Sequence, residues 1–65
     1  MSTVPTIQLT CELTDNQAWL LAQFCKRLAF SDVRANAASD EEAYVMLDAI
    51  YQLQRTLAEE GYSPR

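Results

Sequence analysis

Thr6-Ile7-Gln8-Leu9-Thr10-Cys11-Glu12-Leu13-Thr14 alternates between polar and apolar residues. Ile7, Leu9, Cys11 and Leu13 fall on one side, and Thr6, Gln8, Thr10, Glu12 and Thr14 on the other. A period of two with interspersed threonines is the pattern of a strand that buries one face, and it predicts a β-strand over residues 6–14. No second segment of the chain reads this way. An isolated strand leaves its amides and carbonyls without partners, which is not stable in water. Three arrangements would complete it. The strand pairs antiparallel with its copy in a two-fold homodimer, it adds to a foreign sheet, or it lies across the helices as an extended arm. The first makes Ile7, Leu9, Cys11 and Leu13 the dimer strand.

After Thr14 the period changes. Thr14-Asp15-Asn16-Gln17 fits a capping box, in which the Thr hydroxyl takes an orphan amide of the first turn and Gln17 reaches back to the cap. A helix is predicted over 15–29, with Leu20, Leu21, Phe24, Cys25 and Leu28 in one apolar arc at about 100° per residue. Trp19 and Phe30 project roughly opposite that arc, near Gln23 and Lys26. Residues 31–38 read as a short helix or turn with Ser31 as its cap. Ser39-Asp40-Glu41-Glu42 is a second capping box, with acidic side chains at the positive end of the helix dipole. It opens a long helix predicted over 40–60, which Gly61 ends through a left-handed conformation and Pro64 stops.

On the long helix Ala43, Met46, Leu47, Ile50, Leu53 and Leu57 make the apolar face, with Tyr44 and Tyr51 at one edge. Glu41, Val45, Asp48, Gln52, Arg55 and Glu59 lie opposite. The expected fold is mainly α: one domain over 1–65, with a disordered arm over 1–5, the N-terminal β-strand, two main helices with a short helix between them, and a tail over 61–65. With 65 residues, the chain exposes much of its apolar surface even when folded, and its 49% hydrophobic content favours well-packed helices or self-association as the source of added stability.

Composition narrows the chemistry. Nine acids against five Lys and Arg give a net charge of −4. That balance opposes direct binding to nucleic acid, which depends on clustered cations releasing counterions, and it opposes an anionic membrane surface. No apolar run is long enough to span a bilayer, and Met1-Ser2-Thr3-Val4-Pro5 lacks the features of a secretory signal; a cytoplasmic protein is expected. There is no histidine, so the commonest general base and metal ligand is missing. The serines lack a recognisable base partner, and the single glycine excludes a Gly-rich phosphate loop. Asp40, Glu41 and Glu42 are explained by capping. Neither an enzyme nor a cofactor or metal site is expected. Cys11 and Cys25 both fall on predicted core faces and read as buried thiols, with a strand-to-helix disulfide as the alternative.

Three features could carry contact. Glu41, Asp48 and Glu59 share one side of the long helix over roughly 27 Å at 1.5 Å per residue, an arrangement able to imitate nucleic-acid phosphates against a basic groove; the plainer reading is a solvated face. Trp19 and Phe30, near Lys26, are candidate hydrophobic anchors or simple packing residues. The strand is the third.

Strand, helix and helix with the strand shared across a dimer resembles the ribbon-helix-helix repressors, whose exposed strand residues enter the DNA major groove. The outward positions here are Gln8, Thr10 and Glu12, without Lys or Arg, and about ten residues, Phe30 to Ser39, replace the tight turn expected between the helices. Leu13-Thr14-Asp15-Asn16-Gln17-Ala18-Trp19, Phe30-Ser31-Asp32-Val33-Arg34, Asp40-Glu41-Glu42-Ala43-Tyr44 and Glu60-Gly61-Tyr62-Ser63-Pro64-Arg65 make the chain resemble small acidic proteins of proteobacterial phages and mobile elements. Such proteins include anti-CRISPR inhibitors, which cover a nucleic-acid-binding or nuclease surface. That class shares no common sequence, so no site residue carries over. The expectation is a non-enzymatic phage-type inhibitor that sets Glu41, Asp48 and Glu59, with Trp19 and Phe30, against a basic surface of a host nucleoprotein. The alternative is a dimeric ribbon-helix-helix-like regulator or antitoxin module.

Overall fold

The computed structural model describes residues 4–64, which form three helices and no strand. Helix α1 spans Asp15–Arg27, α2 spans Phe30–Ala35 and α3 spans Asp40–Glu59. The expected β-strand is thus corrected: residues 4–13 precede α1 without helix or strand, and no described backbone hydrogen bond ties them to the rest of the chain. Ile7 is 82% exposed and Leu9 83%, so these two members of the apolar side of the alternation cover nothing within the described residues. Alternation states which residues would share a face, but a ladder also needs a second strand to take up the backbone donors and acceptors. The described residues provide none, and the element order behind the ribbon-helix-helix resemblance is not seen. Of the expected arm over 1–5 and tail over 61–65, residues 1–3 and Arg65 lie outside the described residues.

The helix ends follow local chemistry. At the start of α1 the Thr14 hydroxyl accepts from the Gln17 amide at 3.1 Å, and the Gln17 Oε1 accepts from the Thr14 amide at 2.9 Å. This reciprocal box satisfies two orphan donors of the first turn. Helix α1 stops at Arg27, two residues short of expectation, because Leu28 is extended with ψ 119°. Ser31 is not the cap of α2. The helix begins one residue earlier, and the Asp32 carboxylate accepts from the Ala29 amide at 2.9 Å. At α3 the Ser39 hydroxyl accepts from the Glu42 amide at 3.2 Å, whereas the Glu42 carboxylate reaches past Ser39 to the Ala38 amide.

The far end of α3 closes in a Schellman motif. Gly61 has φ +96°, its amide donates to the Ala58 carbonyl at 3.0 Å, and the Tyr62 amide donates to the Leu57 carbonyl at 2.8 Å. A left-handed residue is needed there, which a glycine adopts without a Cβ penalty.

Both short helices pack on α3. The start of α1 lies beside the end of α3, where Ala18, Ala22 and Leu57 form a buried cluster with Leu21, Leu53 and Tyr62 against it. Val33 of α2 and Ala43 of α3 are buried as well, as is Cys25. The α3 face is as expected: Ala43 and Leu57 are buried, and Met46, Leu47, Ile50 and Leu53 are half-buried. The α1 face is not. Leu21 and Leu28 are half-buried and Cys25 is buried, but Leu20 and Phe24 are exposed, and the inward positions are Ala18 and Ala22. The helix is turned by roughly 60° from the arc that its large apolar residues define. Alanines at the contact let the two helix axes approach closely, which a Leu or Phe in the same place would prevent.

Candidate interaction surface

With its apolar face turned to α1 and α2, α3 presents the opposite side to solvent. Glu41, Tyr44, Asp48, Tyr51, Arg55 and Glu59 succeed one another at steps of three or four residues, which places them in one line along the helix. All six are exposed. Tyr44 is 59% and Tyr51 56% exposed, so both rings stand beside the carboxylates rather than at the edge of the core. Phe30 of α2 stacks on Tyr44 with ring centroids 5.1 Å apart and planes inclined by 31°, extending the aromatic surface at the start of α3.

The carboxylates divide by what they do inside the chain. Asp15 accepts from the Tyr62 hydroxyl, Asp32 and Glu42 accept helix-start amides, and Asp40 pairs with Arg34 at 2.6 Å. The carboxylates of Glu41, Asp48 and Glu59, like those of Glu12 and Glu60, form neither a hydrogen bond nor an ion pair with the described residues. The charge is also unevenly placed along the chain. Residues 1–29 carry Glu12 and Asp15 against Lys26 and Arg27, while residues 30–65 carry seven acids against three arginines. The whole net charge of −4 therefore resides in α2, α3 and the segments that adjoin them.

Trp19 and Phe30 are not brought together. Phe30 belongs with Tyr44, whereas Trp19 meets Tyr62 edge-on, with ring centroids 5.1 Å apart and an interplanar angle of 77°. The Tyr62 hydroxyl donates to Asp15 Oδ1 at 2.7 Å, joining the residue after the Schellman turn to the first turn of α1. That hydrogen bond to the carboxylate, reinforced by burial and by the charges of Asp15 and Glu60, raises the Tyr62 phenol above its ordinary range. Trp19 is thus part of a latch between the start of α1 and the end of α3, although 40% of it remains exposed.

Sequence reasoning did not assign Tyr44, Tyr51 or Tyr62 to a contact. For Tyr44 and Tyr51 the signal was present, since both interleave with Glu41 and Asp48 at helical spacing. For Tyr62 and Asp15, 47 residues apart, there was none.

The cysteines also differ from expectation. Both are free; Cys25 is buried, but Cys11 is exposed because the arm that carries it covers nothing. Burial pushes the Cys25 thiol up from its ordinary range. Among the described residues no three His, Cys, Asp or Glu side chains gather as a metal site would require, and no described helix is long and apolar enough to cross a membrane.

A fold of this kind, with a small core and an acidic, tyrosine-lined helix, can be set beside known proteins. The chain belongs to the DUF7706 family. The family model matches residues 1–65 and describes a family of unknown function. No curated protein and no solved structure matches the chain.

Proposed function

We propose that this DUF7706 chain is a non-enzymatic binding protein that sets the exposed line of α3 against a basic surface of a protein partner. The observation that supports this reading is the state of that line. The carboxylates of Glu41, Asp48 and Glu59 make no hydrogen bond or ion pair with the described residues, and Tyr44 and Tyr51 stand between them with more than half of their surface open. Carboxylates fixed along a rigid rod attract a row of Lys and Arg side chains and set its register. Tyrosines supply large contact area at low cost in side-chain entropy, which makes them effective anchors.

A groove built to hold a phosphate backbone is the basic surface such a rod fits best. The partner class is accordingly a nucleic-acid-binding protein or nuclease complex, and occupation of its groove inhibits it, in the manner of an anti-CRISPR-type phage protein. In this reading the chain does not itself bind nucleic acid or membrane, since its net charge is of the wrong sign. It works in the cytoplasm, where an exposed thiol such as Cys11 stays reduced.

The test is capture from a cell lysate on immobilised protein at low and high salt, with and without added nucleic acid. The wild type should retain a basic protein at low salt and release it to high salt or to competing nucleic acid. The triple variant Glu41→Lys, Asp48→Lys, Glu59→Lys should not retain it. Equal capture by the triple variant, or indifference to nucleic acid, would contradict the proposal.

A further inference from the structure

A second surface of the molecule is apolar, and the α3 contact does not use it. Ile7 and Leu9 of the arm are more than 80% exposed, Leu13 is 42% exposed where the arm enters α1, and Leu20 and Phe24 stand one turn apart on the outer side of α1 at 59% and 57%. Phe24 also borders an open groove of about 380 Å³ that Arg27, Leu28, Asp32 and Asn36 line. Isolated exposed leucines are ordinary, but several large apolar side chains on one helix face and its leading arm need an occupant.

Two observations say what that occupant is. The first is area. The chain exposes 5696 Å², whereas a folded monomer of its 7.4 kDa exposes about 4,200 Å². The excess, about 1,500 Å², exceeds the roughly 800 Å² that each partner contributes to a stable interface. The radius of gyration agrees, at 13.3 Å against about 11 Å for a compact chain of this length. The shape is correspondingly flat, 34 × 31 × 18 Å.

The second observation is charge. Residues 4–29 carry two acids and two bases and are neutral, while the −4 lies in the remainder of the chain. Two copies approaching through α3 would repel, but two copies meeting through the arm and the outer side of α1 bring together neutral apolar surfaces and leave both acidic faces outward. Exposed aliphatic and aromatic side chains on a segment of zero net charge also suit a homodimer interface, whose core is more apolar than the rest of a protein surface.

We infer that a second copy of this chain covers the arm and the outer face of α1, forming a two-fold homodimer through Ile7, Leu9, Leu13, Leu20 and Phe24. The contact is one of side chains. A two-fold axis makes it isologous, so each copy offers the same residues to the other. The dimer then displays two acidic α3 lines, and a partner with two basic sites gains from simultaneous engagement.

Sedimentation equilibrium of the full chain over a range of concentrations, beside two double variants, tests this. Leu20→Glu with Phe24→Glu alters the helix face, and Ile7→Asp with Leu9→Asp alters the arm. These positions are exposed, so the helical circular dichroism of each variant should match the wild type. The wild type should sediment at about twice the 7.4 kDa chain mass. Each double variant should raise the dimer dissociation constant by about 100-fold or more, as loss of two anchors implies. A wild type that sediments as a single chain at the highest concentration would overturn the inference, and so would double variants as dimeric as the wild type. Glu41→Lys serves as the control on the other face and should leave the dissociation constant no weaker than the wild-type value.

Discussion

Replacing Leu57 by alanine should come close to unfolding the protein. Among the described residues six apolar ones are buried: three are alanines, one is Cys25 and one is Val33, which leaves Leu57, 7% exposed, as the only large aliphatic side chain of that set. It clusters with Ala18 and Ala22, whose single methyl groups cannot rotate into the void that its removal creates. Truncations of this kind cost about 2–5 kcal/mol, the transfer of the lost methyl groups plus a cavity contribution. A 65-residue domain has a total stability of only about 3–10 kcal/mol at typical values per residue. The substitution therefore removes about a fifth of the whole at the least and most of it at the middle of these ranges or beyond. Since about 1 kcal/mol shifts the midpoint of a domain this size by roughly 4–8 °C, the Tm should fall by at least about 8 °C. Thermal unfolding followed by circular dichroism at 222 nm, at one fixed protein concentration because association adds stability, measures it. A fall below about 3 °C would refute the view that the α1–α3 contact rests on Leu57.

Other consequences are equally local. Gly61→Ala places a side chain at φ +96° where nothing lies within 4 Å, so the cost is that of the left-handed backbone alone, about 1–2 kcal/mol, measurable by urea unfolding. The two thiols should react at very different rates with a thiol-specific reagent: exposed Cys11 promptly, and buried Cys25, with its raised pKa, only when denaturant opens the core. The Tyr62 hydroxyl is held protonated by Asp15, so its pKa is raised on folding. The latch's contribution is fully present below the unfolded phenol's pKa near 10 and is lost as pH rises through the higher folded value. The Trp19 fluorescence should report that loss at alkaline pH in the wild type and show no such transition in Tyr62→Phe.

Which parts of this molecule can be read from its residues follows from the range of the interactions involved. Helix ends are set within a few residues, and Thr14 with Gln17, Ser39 with Glu42, and Gly61 each mark a boundary the structure keeps to within a residue. The core face of α3 is legible because its residues are large and regularly spaced. The core face of α1 is misread because hydrophobicity gives most weight to Leu20 and Phe24, whereas close helix approach selects Ala18 and Ala22. Alternation from Ile7 to Leu13 specifies a face but cannot supply a second strand, so the segment forms no strand and stays open. The acidic line of α3 is visible as spacing. The latch of Tyr62 on Asp15 joins positions 47 residues apart and depends on how α1 lies against α3.

The measurement closest to the central claim is the affinity of the captured partner for the wild type and for Glu41→Lys, Asp48→Lys, Glu59→Lys, titrated over a series of salt concentrations. If α3 meets a basic surface, the wild-type affinity falls as salt rises, the triple variant binds at least about 100-fold more weakly at low salt, and its salt dependence flattens. The same affinity and the same slope for both proteins would show that the partner binds elsewhere and that the line of α3 is only a solvated face.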